Sequence, residues 1–434
     1  MRPVPPPAVR WITRTLEDAG YETWAVGGAV RDALLGHRSD DWDLATRATP
    51  PQMRRLFKRT VPIGIDHGTV GILARDGTLY EVTTFRKDVE TDGRHAIVEF
   101  ADSIGDDLAR RDFTINAIAW HVLREEHCDP FGGADDLKEG VLRTVGVAEE
   151  RFREDYLRIL RALRFAGRFD MRIEPRTWSA LEGLVDNLTS LSPERIREEL
   201  LKVLGADASP RRSLQLYGDS GALRVLYPEL DAVRTGGRTT SERGSNENRA
   251  WDSALGTVER LPTGRAHLRL AALLWGLAPD SVAALLTRLR LSNAVTDETA
   301  RLAGAEPLPP VAATDVDVRR WISTHGRDRL PALARLELAR ARATMDAGGA
   351  PDCADVVASW RRVRDVLATR PPLSIAELAM DGRGLIALGL PPGPSFGRIL
   401  DELLRWVMED PARNEASILE RRVLEMMRET DVEV

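Results

Sequence analysis

The stretch Trp24-Ala-Val-Gly-Gly-Ala-Val-Arg-Asp-Ala-Leu-Leu-Gly-His-Arg-Ser-Asp-Asp-Trp-Asp-Leu-Ala-Thr46 joins a short apolar strand to a glycine turn and then to carboxylates at alternate positions. Glycine at 27 and 28 lets the backbone turn tightly. A helix starting near Ala29 would then aim its free amides and positive dipole end at an anion. Gly28 and Arg31, in the first turn of that helix, are candidates to bind phosphate. Asp41 and Asp43 flank Trp42 in an extended segment, which puts both carboxylates on one face where they can share hard divalent cations. A phosphate grip beside a metal grip points to triphosphate chemistry.

Working outward from this run, strands are expected at 23–26, 42–45, 69–74 and 79–84, separated by Gly, Asp and Pro turns. Beyond Glu149 the periodicity is helical almost to the end, with a start at Ser192-Pro193-Glu194 and stops at Gly167, Gly205 and Gly218. The fold class is α+β. A mixed-sheet catalytic head at 1–143 is followed by an all-helical remainder, divided into a neck at 144–232, a body at 250–348 and a tail at 349–434. The segment 234–249, poor in apolar residues, reads as a linker, and Ala347-Gly-Gly-Ala-Pro-Asp352 marks a second break.

With 434 residues and 43% hydrophobic content, the chain exceeds one ordinary core. It has no apolar run of membrane-spanning length, and its Met-Arg-Pro-Val-Pro-Pro-Pro start lacks the apolar stretch of a signal peptide. A cytoplasmic protein without a membrane partner is expected. Cys128 and Cys353 stand alone, which supports neither a disulfide framework nor a thiolate zinc site. The net charge of −6 argues against a protein that coats nucleic acid indiscriminately. Lysine occurs only at Lys58, Lys87, Lys138 and Lys202, so nearly all of the 61 basic residues are arginines. A GC-rich coding bias accounts for this too, and only arginines inside motifs count toward a site.

Glu81, in the strand Tyr80-Glu-Val-Thr-Thr-Phe-Arg86, adds a third carboxylate to Asp41 and Asp43. Three such groups suit two-metal phosphoryl transfer, in which one ion activates an attacking hydroxyl and the other holds the triphosphate and the leaving pyrophosphate. Further runs follow in order: Asp107-Leu-Ala-Arg-Arg111-Asp112-Phe-Thr-Ile-Asn116-Ala, Asp129-Pro-Phe-Gly-Gly-Ala-Asp-Asp136-Leu, Glu154-Asp155-Tyr-Leu-Arg158-Ile-Leu-Arg161-Ala-Leu-Arg164-Phe, and Glu194-Arg195-Ile-Arg197-Glu-Glu-Leu.

Together with the opening run, these resemble the five ordered motifs of class II tRNA nucleotidyltransferases, the CCA-adding family of the polymerase beta superfamily, which also contains bacterial poly(A) polymerases. The resemblance implies a polymerase-beta-like head, magnesium as cofactor, CTP and ATP as substrates, and the 3′ acceptor end of tRNA as partner. It implies that Arg111 contacts the nucleotide, that Asp112 supports sugar selection, that Arg161 and Arg164 add nucleotide contacts, and that the last run steadies the neck. The segment 87–96 resembles the family's lever for switching from C to A addition. The family's usual proline is replaced by Tyr156, and an Arg-Arg-Pro-like stretch by Arg94-His95-Ala96.

Placed on one helix, Glu154, Asp155, Arg158 and Arg161 share a side opposite Ile159, Leu160 and Leu163. In isolation this is a solvated face with an Asp155 to Arg158 pair. Beside a triphosphate site, Asp155 as acceptor and Arg158 as donor can bond the Watson–Crick edge of an incoming base. Around residues 251–277 the chain resembles a decayed HD phosphohydrolase, with Trp275-Gly276 where a His-Asp pair would fall, Asp252 in place of a histidine, and His267 alone. Residues 380–400 resemble the family's tail, with anion binding and a plain helix-joining turn as equal readings. CC-only or A-only addition, poly(A) synthesis, HD-type hydrolysis and non-catalytic RNA binding stay open as alternatives.

Overall fold

The computed structural model describes residues 3–91, 96–205, 209–236, 249–346 and 353–432. The chain forms two compact units, Met1–Ala232 and Val233–Val434.

In the first unit, α1 (Pro7–Asp18) leads into β1 (Thr23–Val26), which is buried throughout. There follow α2 (Gly28–Leu34), β2 (Asp43–Thr46), α3 (Pro50–Leu56), β3 (Thr60–Gly64), β4 (Thr69–Leu73), β5 (Leu79–Thr84), β6 (Arg86–Thr91), β7 (Ala96–Phe100), α4 (Ile104–Ala109), β8 (Ala119–His121) and β9 (Glu126–Cys128). Seven strands form one sheet in the order β3-β4-β5-β2-β1-β8-β9, with β2 and β5 parallel and the other neighbours antiparallel. This topology assembles the site. Val26 at the end of β1 pairs with Asp43 at the start of β2, and Leu44 pairs with Val82, so Asp43 and Glu81 are neighbours on adjacent inner strands beside the glycine turn. Trp24, Val26, Ala45, Phe85, Leu108 and Ala119 pack beneath as core.

The strands at 23–26 and 79–84 lie where expected; β2 begins one residue later, and β4 one residue shorter, than the reading from sequence. Among the strands not anticipated, β3 is an edge strand whose Val61 and Ile63 are exposed, so it lacks the alternation that betrays a half-buried strand. The expected lever loop is mostly a hairpin of β6 and β7, separate from the main sheet. Its Arg94 and His95 lie outside the described residues.

The first unit continues through α5 (Gly133–Glu139), α6 (Ala148–Glu154), α7 (Leu157–Arg168), α8 (Pro175–Leu184), α9 (Pro193–Gly205) and α10 (Pro210–Asp219). The expected single helix through 154–164 is two. Asp155 is extended at φ −158° and ψ 106°, and its Oδ1 accepts the Leu157 amide at 3.0 Å, so it ends α6 and caps the start of α7. Gly167, read as a helix stop, lies inside α7. Its missing Cβ admits α10, because a Cβ there would lie 2.0 Å from Ser213 Oγ and 2.5 Å from its backbone nitrogen.

The second unit is helical, from Arg249–Arg260 to Ala416–Val432, and its C-terminal part closes over Leu385, Leu403, Val407, Leu419 and Val423. Trp275 follows the helix Ala266–Leu274, and Arg340 lies over its ring at 5.3 Å. With Ser253 and Thr257 these two line a cavity of about 180 Å³. His267 is exposed. Of the two expected breaks, 237–248 and 347–352 lie outside the described residues. Among the described residues, no helix is long and apolar enough to cross a membrane.

Gly167→Ala is expected to destabilise the protein by about 1–3 kcal/mol, since the clash is with backbone as well as with a side chain. A thermal melt tests this, and an unchanged midpoint would contradict the packing described.

Candidate active site

A cleft of about 610 Å³ opens between strands β1, β2 and β5 and helices α7 and α9. Its floor is the glycine turn. Gly27 has φ +73°, so glycine is required by conformation, and a Cβ on it would stand in ordinary contact with Arg111 Nη1 at 3.4 Å and Asp43 Oδ2 at 3.7 Å. Of the site residues expected from sequence, Gly28, Arg31, Asp43, Glu81, Arg111, Asp112, Asp155, Arg158, Arg161 and Arg164 all line this cleft. Asp41 does not: it is exposed, two residues before β2. Its charge still reaches Asp43. The Asp43 carboxyl is pushed up to about 6, first by burial and then by the negative charges of Asp41 and Glu81, against which Arg111 acts. Among the described residues, no three His, Cys, Asp or Glu side chains lie close enough together to hold a metal by themselves.

The second motif supplies a buried ion network. Asp107 accepts from Arg110 at 2.8 Å and from Arg111 at 3.0 Å. Burial raises its carboxyl, but Arg111 and Arg110 outweigh that and hold it below the usual range. Arg111 keeps its Nε buried without a hydrogen-bond partner. Asp112 binds Arg161 through Oδ2 at 2.6 Å, and its Oδ1 accepts from Asn116 at 3.0 Å and from the Phe113 amide at 2.9 Å. Burial opposes its ionisation, and Arg161 and Asn116 still keep it below the usual carboxylate range. Arg31 is itself buried. Its Nη1 donates to Asn116 at 2.7 Å and its Nε and Nη2 contact Asp32, so any phosphate must share those donors.

The expected Asp155 to Arg158 pair does not form. Asp155 Oδ2 is held by Arg195 of α9 at 2.7 Å. Arg158 Nη1 contacts Glu154 at 2.5 Å and the Arg151 carbonyl at 3.0 Å, while Nη2 reaches the Arg110 carbonyl at 3.3 Å. Both groups are thus fixed by other partners, because the helix break turns Asp155 out of α7. Arg164 is clamped to buried Glu199 at 2.7 Å, and Glu199 also binds Lys202 at 3.0 Å. Phe165, Arg168, Lys202 and Arg110 line the cleft although sequence reasoning had not singled them out as site residues. The i,i+4 spacing of Arg161 and Phe165 on α7 and Phe169 at its C-terminal cap is the signal that could have found the aromatic pair.

A model of the poly A polymerase head domain matches residues 23–143, and one of a probable RNA- and SrmB-binding site of polymerase A matches residues 170–234. The CCA-adding enzyme of Lactobacillus johnsonii is 33% identical over 416 residues, covering 94% of this chain and 95% of that protein. That of Geobacillus kaustophilus is 34% identical over 407 residues, covering 93% of each. The chain belongs to the class II CCA-adding enzyme family. The crystal structure of the Bacillus stearothermophilus CCA-adding enzyme in complex with CTP superposes with a TM-score of 0.75 at 30% identity, covering 99% of this chain and 100% of that one. Members of this family are nucleotidyltransferases.

Replacing Glu199 with Gln is expected to cost about 3–5 kcal/mol by leaving Arg164 buried and unpaired. Burial raises the Glu199 carboxyl, yet Arg164 and Lys202 hold it below its ordinary 4.5. Its contribution is therefore complete above that value and lost as pH falls through the lower folded value. Denaturant melts at pH 7 and at pH 3 should show the wild-type advantage shrinking in acid; an equal difference at both would contradict the pairing.

Proposed function

We propose that the protein completes the 3′ ends of tRNA, transferring CMP and then AMP from CTP and ATP with release of pyrophosphate and without a nucleic-acid template. The observation that carries this reading is the meeting, in one cleft, of the Asp43 and Glu81 carboxylates with a fixed acceptor at Asp155 and a fixed donor at Arg158. Transfer and base reading need both sets within the length of a single nucleotide.

Asp43 and Glu81, which line the cleft, fit a hard divalent ion by their chemistry together with substrate phosphates, and exposed Asp41 adds negative charge beside them. They offer only oxygen, and their mutual repulsion at Asp43 would be relieved by a cation. Magnesium is the ion this set suits, since it is commonly held by one or two carboxylates together with substrate phosphates and needs no closed protein cage. When bound, it supplies an activated primer hydroxyl and charge stabilisation at the departing pyrophosphate.

The protein's own groups do the rest. Gly28, Arg31 and Arg111 form the phosphate side, and Asp112 with Arg161 forms the sugar side. Asp155 accepts from the exocyclic amine of cytosine or adenine, and Arg158 donates to the ring acceptors. Arg164 supports this wall from Glu199. In this reading the head at 1–143 transfers, the neck at 144–232 selects, and the body at 250–348 and tail at 349–434 carry the acceptor arm, recognised by shape and phosphates. Its substrates place the work in the cytoplasm.

Purified protein incubated with tRNA lacking its 3′ CCA, labelled CTP and ATP, and magnesium is expected to add C, C and A and stop. Product sequencing checks this: an unlabelled RNA end would sink the reading, and products ending in CC would restrict it to the CC-adding subtype. Asp43→Ala should lower the rate about a thousandfold, as loss of several kcal/mol of metal-assisted stabilisation requires. Asp155→Ala with Arg158→Ala should instead incorporate all four nucleotides with little preference while keeping magnesium dependence.

A further inference from the structure

We propose that Arg168, seated on the ring of Phe169, grips the terminal phosphates of the incoming nucleoside triphosphate, the pair released as pyrophosphate. This rests on the function proposed above, and it assigns the triphosphate's outer end a residue that the five motif runs leave out.

Nine cationic side chains line the cleft, and their partners separate them. Arg31 is engaged by Asp32 and Asn116, Arg111 by Asp107, Arg161 by Asp112, and both Arg164 and Lys202 by Glu199. Arg168 is exposed, lines the same cleft, and forms neither a hydrogen bond nor an ion pair with any described residue. Its guanidinium carbon lies 5.1 Å from the centroid of Phe169. That ring is held in turn, stacked on Phe165 at 6.1 Å with an interplanar angle of 11°, and it is also approached by Arg31 at 4.6 Å. A guanidinium resting on a fixed ring is positioned without using its donors, so all five N–H groups of Arg168 remain for a ligand.

The charge around it asks for an anion. The guanidiniums of Arg31 and Arg168 lie 4.6 and 5.1 Å from the centroid of the same Phe169 ring. Burial lowers the pKa of Arg31, and the positive charge of Arg168 lowers it further, so the two repel each other. A polyanion between them would relieve that repulsion. Position along the helix favours the triphosphate tail over an RNA phosphodiester. Arg158, at the first turn of α7, faces the base, and Arg168 stands at the last residue, about 15 Å further along the axis. An extended nucleotide bound with its base at one end of α7 brings its terminal phosphates toward the other.

The test compares wild type, Arg168→Gln and Arg168→Lys as full-length proteins, with magnesium present. Binding of CTP and of CMP is measured by calorimetry, and KM for tRNA and inhibition by added pyrophosphate are measured kinetically. Loss of a charge-assisted phosphate contact should weaken CTP binding and pyrophosphate inhibition about tenfold in the Gln variant, with CMP binding and KM for tRNA unchanged. The Lys variant should recover part of the loss. Equal weakening of CTP and CMP, or unchanged CTP binding, overturns the proposal, and a rise confined to KM for tRNA reassigns Arg168 to the RNA. Because nucleotide binding is read without RNA, a wild-type protein that binds CTP but never extends tRNA would refute the function proposed above and leave this comparison intact.

Discussion

The arrangement of the cleft depends on the neutralisation of Asp112. Only 8% of this residue is exposed, and removing its carboxylate from water would cost several kcal/mol without partners. Arg161 meets one oxygen, and Asn116 and the Phe113 amide meet the other. Asn116 then accepts from Arg31, which contacts Asp32. One continuous chain of bonds thereby links α7, the turn after α4 and α2, three pieces far apart in sequence. The groups that would hold phosphate and sugar cannot shift independently, because Asn116 is a hydrogen-bond partner of both Arg31 and Asp112.

A second constraint is how many guanidiniums can be crowded into one wall. Arg31, Arg161 and Arg164 lie 5.2, 5.2 and 4.2 Å from the centroid of Phe165. The ring fills space between like charges, offers its negative face, and excludes the water that would otherwise solvate and loosen them. Carboxylates alone could not do this without cancelling the positive field that a triphosphate requires. Asp112 and Glu199 fix two of these arginines from behind, and the rings of Phe165 and Phe169 space the cluster on the open side. The wall therefore stays ordered while retaining net positive charge toward the cleft.

Much of this was legible in the amino-acid sequence, for physical reasons. The strands carrying Asp43 and Glu81 are short apolar runs bounded by Gly and Asp, and the helix after Gly27 announces itself by its glycine pair. What sequence reading missed depends on long-range contact. Gly167 resembles a helix stop, but only the approach of Ser213 from α10 shows why a side chain is excluded there. Asp41 was expected beside Asp43 on one face of a strand, yet the strand begins at Asp43 and leaves Asp41 exposed. The aromatic pair was hidden because Phe165 and Phe169 look like ordinary core positions until the arginines of other elements converge on them. β3 escaped because its apolar side chains point outward at a sheet edge.

In the proposed function, the break at Asp155 is what would let a protein surface stand in for a template. A base is read reliably only if the reading groups have no other conformations in which to satisfy themselves. Asp155 is tied by the Leu157 amide on one oxygen and by Arg195 on the other, which leaves the outer lone pairs of each to face a ligand. Arg158 has three of its five donors engaged, two on Nη1 and one on Nη2. Its Nε–H and one remaining Nη2–H are left to donate. A continuous helix would have paired Asp155 with Arg158 directly and silenced both. By ending α6 at Glu154 and restarting at Leu157, the chain separates the acceptor from the donor, gives each its own restraints, and leaves unsatisfied just the atoms that a base edge can complete.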